Sequence, residues 1–211
     1  VDLLITDVVL IVLMEHGLTP SAIATRVVYM SAPEHLQGAV AAGLLAVGSS
    51  FVGTMENCSK LLDRIVTAPD AQAEALEIAR HYKSIKSPVP GFGHHLHKPV
   101  DPRAYKLLDL GRAEKDLKGD RIRALETLSK AVDELAGRPI TINATGAVAA
   151  LLGEIEVPTA IMRGFAVISR AAGLVAHIVE EQKDPSGRFI WDTIEHAIPY
   201  VSPSAAAAKE A

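Results

Sequence analysis

A single cysteine in 211 residues, Cys58, excludes an intrachain disulfide. Aromatic residues make up only 4% of the chain, and its 21 basic and 25 acidic residues, a formal −4, form no basic stripe. Without that electrostatic footprint, and with few rings for bases to stack on, no nucleic-acid partner is expected. A signal peptide and an uninterrupted apolar run of about 18 residues are also missing, so the expectation is no membrane partner and a cytoplasmic location. The chain opens on Val1 in mid-pattern, which leads us to expect residues upstream of it.

Hydrophobic residues nevertheless make up 49% of the chain, and 32 of them are alanine. Disorder is excluded, and the Ala, Val, Leu and Ile content suits helices that approach one another closely. Apolar periodicity predicts helices over Leu3–Met14, Pro20–Met30, Pro33–Val47, Thr54–Val66, Asp70–Tyr82, Pro102–Leu110, Asp120–Leu135, Thr159–Glu181 and Phe189–Ala197. Thr19 and Pro20 form a helix start, and Gly48 a helix stop. The one strand-like stretch, Pro139–Asn143, is short and has no evident partner, so the fold class is all-α. The Ala-rich tail from Ser204 to Ala211 is expected to fray.

The densest Pro/Gly stretch runs from Ser87 to Pro102, too long and too rich in ionisable groups for a mere connector. Its His94, His95 and His97 have no carboxylate or cysteine cluster beside them, so no metal is expected. Gly91-Phe92-Gly93 lacks the third glycine and the preceding strand of a dinucleotide site, and no phosphate-cradling loop occurs, so no nucleotide cofactor is expected. What remains is cationic. His94 and Arg103 flank one loop, and Arg170 sits inside an apolar helix, as a carboxylate clamp or as a buried arginine paired with a glutamate.

Pro90-Gly91-Phe92-Gly93-His94, followed by Lys98 and Asp101-Pro102-Arg103, resembles the loop of the citrate synthase superfamily in which Gly-His precedes Asp-Pro-Arg at this distance. Glu15-His16-Gly17 with Arg26 downstream is similar to that family's Asp-His-Gly segment, and Ser169-Arg170-Ala171-Ala172-Gly173 with His177 to its arginine helix. Phe51, where true synthases carry histidine, and Trp191-Asp192 resemble the citryl-CoA-cleaving branch, which includes the C-terminal part of ATP-citrate lyase. Two departures stand out. The family's Asn-x-Asp-Gly becomes Asn143-Ala144-Thr145-Gly146, and its Gly-His-Arg becomes Gly93-His94-His95.

The resemblance implies a large helical domain of residues 1–53 and 154–211, a small one of 54–153, and a cleft between them. It implies a homodimer whose interface includes the third helix and Thr159–Glu181. His16 and His94 would contact the hydroxyl and carboxylates of a citrate-like acyl group, with one of them as base. Arg103 and Arg170 would neutralise its carboxylates, Gly91 and Gly93 would lie against coenzyme A, and Thr145 would stand at the acid/base position. The implied reaction is cleavage of a 3-hydroxy-3-carboxy acyl-CoA to a keto acid and acetyl-CoA, with the CoA thioester as substrate. Two alternatives stay open: a citrate synthase-like binding or structural protein that has lost catalysis, and a His94-dependent hydrolase of CoA thioesters or diketones.

Overall fold

The computed structural model describes residues 1–94 and 96–200, with the side chains of 49–52 left aside. Phe51, His95 and the tail from Ser204, which carry three of the expectations above, lie outside that description. The described residues form ten α-helices and one 3₁₀ turn, with no strand among them, as the all-α class requires. The helices are α1 (Asp2–Leu13), α2 (Pro20–Ser31), α3 (Leu36–Leu45), α4 (Ser49–Thr67), α5 (Ala71–Ser84), α6 (Pro102–Ala113), α7 (Asp120–Ala136), α8 (Ala144–Glu154), α9 (Met162–Lys183) and α10 (Gly187–Ala197).

Two compact units emerge. The first takes Val1–Glu15 and Val47–Arg170, the second His16–Ala46 and the chain from Ala171 on. The first unit holds both α8 and the loop that carries His94, and the break near the C-terminus falls inside α9.

The first unit is organised around α8, a helix that the periodicity does not predict. Ala147 to Leu152 are all fully buried, because α1, α4, α6 and α7 pack around this one helix. A helix apolar on every side has no polar face to generate a period, which is why it is invisible to pattern reading. Small residues allow the approach: a side chain added at Gly111 of α6 would lie 2.5 Å from a methyl of Leu151. At its end, Glu154 reaches across to α7, whose own N-cap is Gly119 and offers no side-chain oxygen. The Glu154 carboxylate accepts from the backbone N–H groups of Gly119 (2.8 Å), Arg121 (2.6 Å) and Ile122 (3.1 Å), so a neighbouring helix supplies the missing cap.

In the second unit α2 packs on α3 through small residues. A Cβ on Gly43 would stand 2.7 Å from the Ser21 carbonyl oxygen and 2.6 Å from a methyl of Leu174. Arg26 of α2 is buried and donates through Nε to His177 Nδ1 (3.0 Å), through Nη1 to Glu181 (3.0 Å), and through Nη2 to Glu180. Glu181 also accepts from the backbone N–H groups of Ser186 (3.0 Å) and Gly187 (2.7 Å), tying α10 to the end of α9. Burial works against the Glu181 charge, but these donors outweigh it and hold its carboxyl below the usual range.

The stretch Thr159–Lys183 is long and apolar enough to cross a membrane by length and composition. Arg163 and Arg170 interrupt it, which is why no uninterrupted apolar run is read there. Met162, Ala166, Leu174 and Ile178 are buried, whereas Ile168, Val175 and Val179 are exposed, and Arg163 pairs with Glu56 at 2.8 Å.

Candidate active site on the His94 loop

The strand-like stretch before α8 finds its partner in the glycine loop. Gly93 N–H donates to the Thr141 carbonyl (2.7 Å) and Asn143 N–H to the Gly91 carbonyl (3.0 Å), so Phe92 and Ile142 form a single antiparallel bridge. Gly91 takes φ +88°, and a Cβ there would meet Cys58 Sγ at 2.6 Å and Gly146 Cα at 3.0 Å. The missing side chain at Gly91 therefore makes room for protein atoms rather than for coenzyme A. Gly93, at φ +81°, has nothing within 4 Å of its Cβ position and lines an open cleft. Burial pushes the Cys58 thiol up to about 12, so it serves as packing under the loop and not as a nucleophile. Gly91→Ala is expected to cost about 2–4 kcal/mol, left-handed strain plus overpacking, and Gly93→Ala only about 1–2 kcal/mol. Urea unfolding tests the order: a Gly93→Ala variant less stable than Gly91→Ala contradicts it.

Asp101 anchors the other end of the loop. It is fully buried, accepts from Arg103 Nε (3.1 Å), Arg103 Nη2 (2.8 Å) and the backbone N–H of Ala144 (3.2 Å), and caps α6 through Arg103 N–H (3.0 Å). Burial alone would raise its pKa; the hydrogen bonds and charge of Arg103 more than offset this and lower it. The bidentate pair fixes the guanidinium, and Arg103 Nη2 comes to 3.3 Å from His94 Nε2.

His94 has a defined chemical role in this geometry. Its Nδ1 accepts from the backbone N–H groups of Leu96 (3.1 Å) and His97 (3.0 Å), which leaves the imidazole proton on Nε2. Arg103 Nη2, which also donates to Asp101, stands 3.3 Å from Nε2, so an imidazole edge and a fixed cation meet at one point of the loop. Taking up a proton would require Nδ1–H to face two other N–H groups.

The other expected residues fall as follows. Thr145 Oγ1 donates to Asn143 Oδ1 (2.7 Å) and lies 3.1 Å from Thr54 Oγ1, so its proton is committed within the protein. Arg170 donates to the Leu13 carbonyl (3.4 Å); burial lowers its pKa, and the charge of Glu15 partly restores it. His16 stands half-buried at the corner before α2, in the second unit. Asn143, which pattern reading passes over, is the α8 N-cap and also reaches the loop, donating from Nδ2 to the Gly93 carbonyl (2.9 Å).

Beside His94 opens a cleft of about 750 Å³ lined by apolar groups such as Tyr82, Val89 and Ile140 and by the cations Lys83, Lys98 and Arg138. None of its lining residues is acidic. Lys83 Nζ donates to the Leu135 carbonyl at 2.7 Å. An apolar floor with a cationic rim fits an elongated ligand that has a flat apolar end and anionic groups.

The model of the C-terminal domain of citrate synthase matches residues 3–191. The chain belongs to the citrate synthase family. Among solved structures, citryl-CoA lyase from Hydrogenobacter thermophilus superposes with a TM-score of 0.76 at 32% identity, covering 84% of this chain and 68% of that one. ATP citrate lyase from Methanothrix soehngenii, in complex with citrate and coenzyme A, shares the fold at a TM-score of 0.73 and 18% identity, over 94% of this chain and 34% of that one. By sequence, ATP-citrate synthase subunit 1 of Sordaria macrospora is 23% identical over 92% of this chain and 31% of its own length. Citrate synthase of Haloferax volcanii is 25% identical over 84% of this chain and 46% of its own. The chain thus spans about a third to a half of the length of these two curated sequence relatives. A citrate synthase-family fold places the Gly91–Arg103 loop and α8 side by side, as the hydrogen bonds above record.

Proposed function

We propose that this chain cleaves a citryl-CoA-type thioester to oxaloacetate and acetyl-CoA. The observation that carries the reading is the meeting of His94 Nε2 and the Asp101-held Arg103 guanidinium, 3.3 Å apart, beside a cleft with a cationic rim. As the C2–C3 bond of the acyl group breaks, the 3-hydroxyl gives up its proton and its oxygen becomes the ketone of the keto acid. His94 and Arg103 stabilise the alkoxide on the way, and the coenzyme A portion lies along Gly93, Lys98 and Arg138. The bond's electron pair passes to the thioester as an enolate, whose carbon is then protonated to give acetyl-CoA. His16 is proposed as acceptor of the hydroxyl proton on the strength of the resemblance, as is Arg170 as a second carboxylate partner. Thr145 is not placed as proton donor, because its hydroxyl is spent on Asn143. Water takes that part, and losing a positioned acid typically costs 10²–10⁴-fold in rate.

A ligand-binding protein without turnover is the second reading, and the committed Thr145 hydroxyl is what favours it. We further propose that a second copy covers the apolar side chains exposed on α3 and α9, among them Leu45, Val175 and Val179. Citryl-CoA cleavage, followed by the release of oxaloacetate, tests the first reading. The wild-type protein is expected to turn over, and His94→Ala to do so about 10²–10³-fold more slowly, the usual cost of one oxyanion donor. Equal rates for the two proteins overturn it, and tight citrate or CoA binding without turnover selects the second reading.

A further inference from the structure

Behind the glycine loop runs a short chain of hydrogen-bonded side chains. Thr145 Oγ1–H donates to Asn143 Oδ1, and the Thr145 oxygen lies within reach of Thr54 Oγ1 on α4. Asn143 Oδ1 accepts a second hydrogen bond, from Gly146 N–H at 3.1 Å, and Asn143 Nδ2 donates to the Gly93 carbonyl. The Gly93 carbonyl belongs to the peptide unit whose nitrogen is that of His94. We propose that Asn143 is the positioning residue of His94, acting through the Gly93 carbonyl, and that an amide is required there because one end faces two donors and the other an acceptor.

Each end of the amide has one chemically acceptable orientation. Turned over, Nδ2 would face Gly146 N–H and the Thr145 hydroxyl, and Oδ1 the Gly93 oxygen. Thr145 thus contributes by fixing Asn143 rather than by touching a ligand. Gly93 N–H, of the preceding peptide unit, is held by the Thr141 carbonyl, so the peptides on both sides of Gly93 Cα are fixed. The turn that follows brings the Leu96 and His97 N–H groups to His94 Nδ1. Releasing the Gly93 carbonyl loosens that turn, and with it both the tautomer and the direction of Nε2–H. Misplacing a catalytic donor by about 1 Å can cost on the order of 10²-fold in rate.

Asn143→Asp isolates the claim. It keeps size and shape and still accepts from Gly146 and Thr145, but it turns a carboxylate oxygen toward the Gly93 carbonyl. Side-chain 15N NMR of the histidines, with His94 assigned by loss of its signals in His94→Ala, reads the tautomer without any substrate. The wild type is expected to show a single Nε2–H form at His94. In Asn143→Asp and Asn143→Ala this gives way to mixed tautomers, while circular dichroism stays helical. The kinetic part rests on the lyase reading: kcat for citryl-CoA is expected to fall about 10–100-fold in Asn143→Asp with KM changed less than about threefold. An unaltered His94 signature in either folded variant overturns the inference, whatever the turnover. A wild type without turnover whose His94 tautomer is nonetheless disturbed by Asn143→Asp supports it and counts against the lyase reading alone.

Discussion

Arg103→Met is expected to lower kcat/KM for citryl-CoA by about 10³-fold, more than any other single change on the loop. The guanidinium has two tasks. In the proposed reaction its charge stands beside His94 where an alkoxide would develop, and a charged partner contributes more there than a neutral one. Toward the protein it neutralises Asp101, which is fully buried and which also holds the N–H of Ala144. A methionine leaves that carboxylate without its cation, so part of the loss appears as stability, on the order of 2–4 kcal/mol given the partly exposed Arg103 side chain. Arg103→Lys keeps the charge but not the bidentate fork, and is expected to recover stability before rate. Steady-state kinetics and urea unfolding on the same preparations separate the two effects. Full activity in a folded Arg103→Met protein would remove Arg103 from the site.

The second large effect belongs to the other unit. Arg26→Met is expected to destabilise the protein by about 3–5 kcal/mol, because it strips the cation from Glu181, whose side chain is 3% exposed. For a chain of this size the melting temperature should fall by on the order of 10 °C. Hydrogen exchange should show α10 opening first, since Glu181 joins the α10 start to Arg26. The pH dependence has a definite sign. The Glu181 carboxyl is lowered in the folded protein, so its contribution is complete above the unfolded value near 4.3 and disappears as pH falls through the folded value. Asp101 acts in the same direction. Glu181→Gln should therefore be less stable than wild type at neutral pH and flatter with acidification. An Arg26→Met protein that melts like the wild type would show that the network contributes nothing net.

Much of this molecule is legible in its sequence, for reasons that differ from element to element. Amphipathic helices such as α7 announce themselves, since Ile122, Leu125, Leu128 and Val132 recur on one face and all are buried. His94 and Arg103 are equally visible, being close in sequence on one loop and in direct contact. The helix α8 is not, because it is buried all round and has no period to detect. Glu154 is likewise hidden: it looks like an ordinary helix-end acid until the bare N-terminus of α7 is seen beside it. Arg26 and Glu181 are 155 residues apart, and only the packed second unit shows them as partners. The resemblance puts Thr145 at the acid/base position, yet its hydroxyl donates to Asn143, and Asn143 makes the link to the His94 loop. Gly91 shows the same limit: a glycine beside a proposed ligand loop reads as space for the ligand, and the structure fills that space with Cys58.

In the proposed reaction His94 and Arg103 together receive the hydroxyl or ketone oxygen of a citrate-like group attached to coenzyme A. A crystal structure with coenzyme A and oxaloacetate both present tests it most directly. The expected result is a ketone oxygen within about 3 Å of both His94 Nε2 and Arg103 Nη2, with coenzyme A lying along Gly93, Lys98 and Arg138. A keto acid bound away from His94 and Arg103, with the cleft beside them empty, would contradict it.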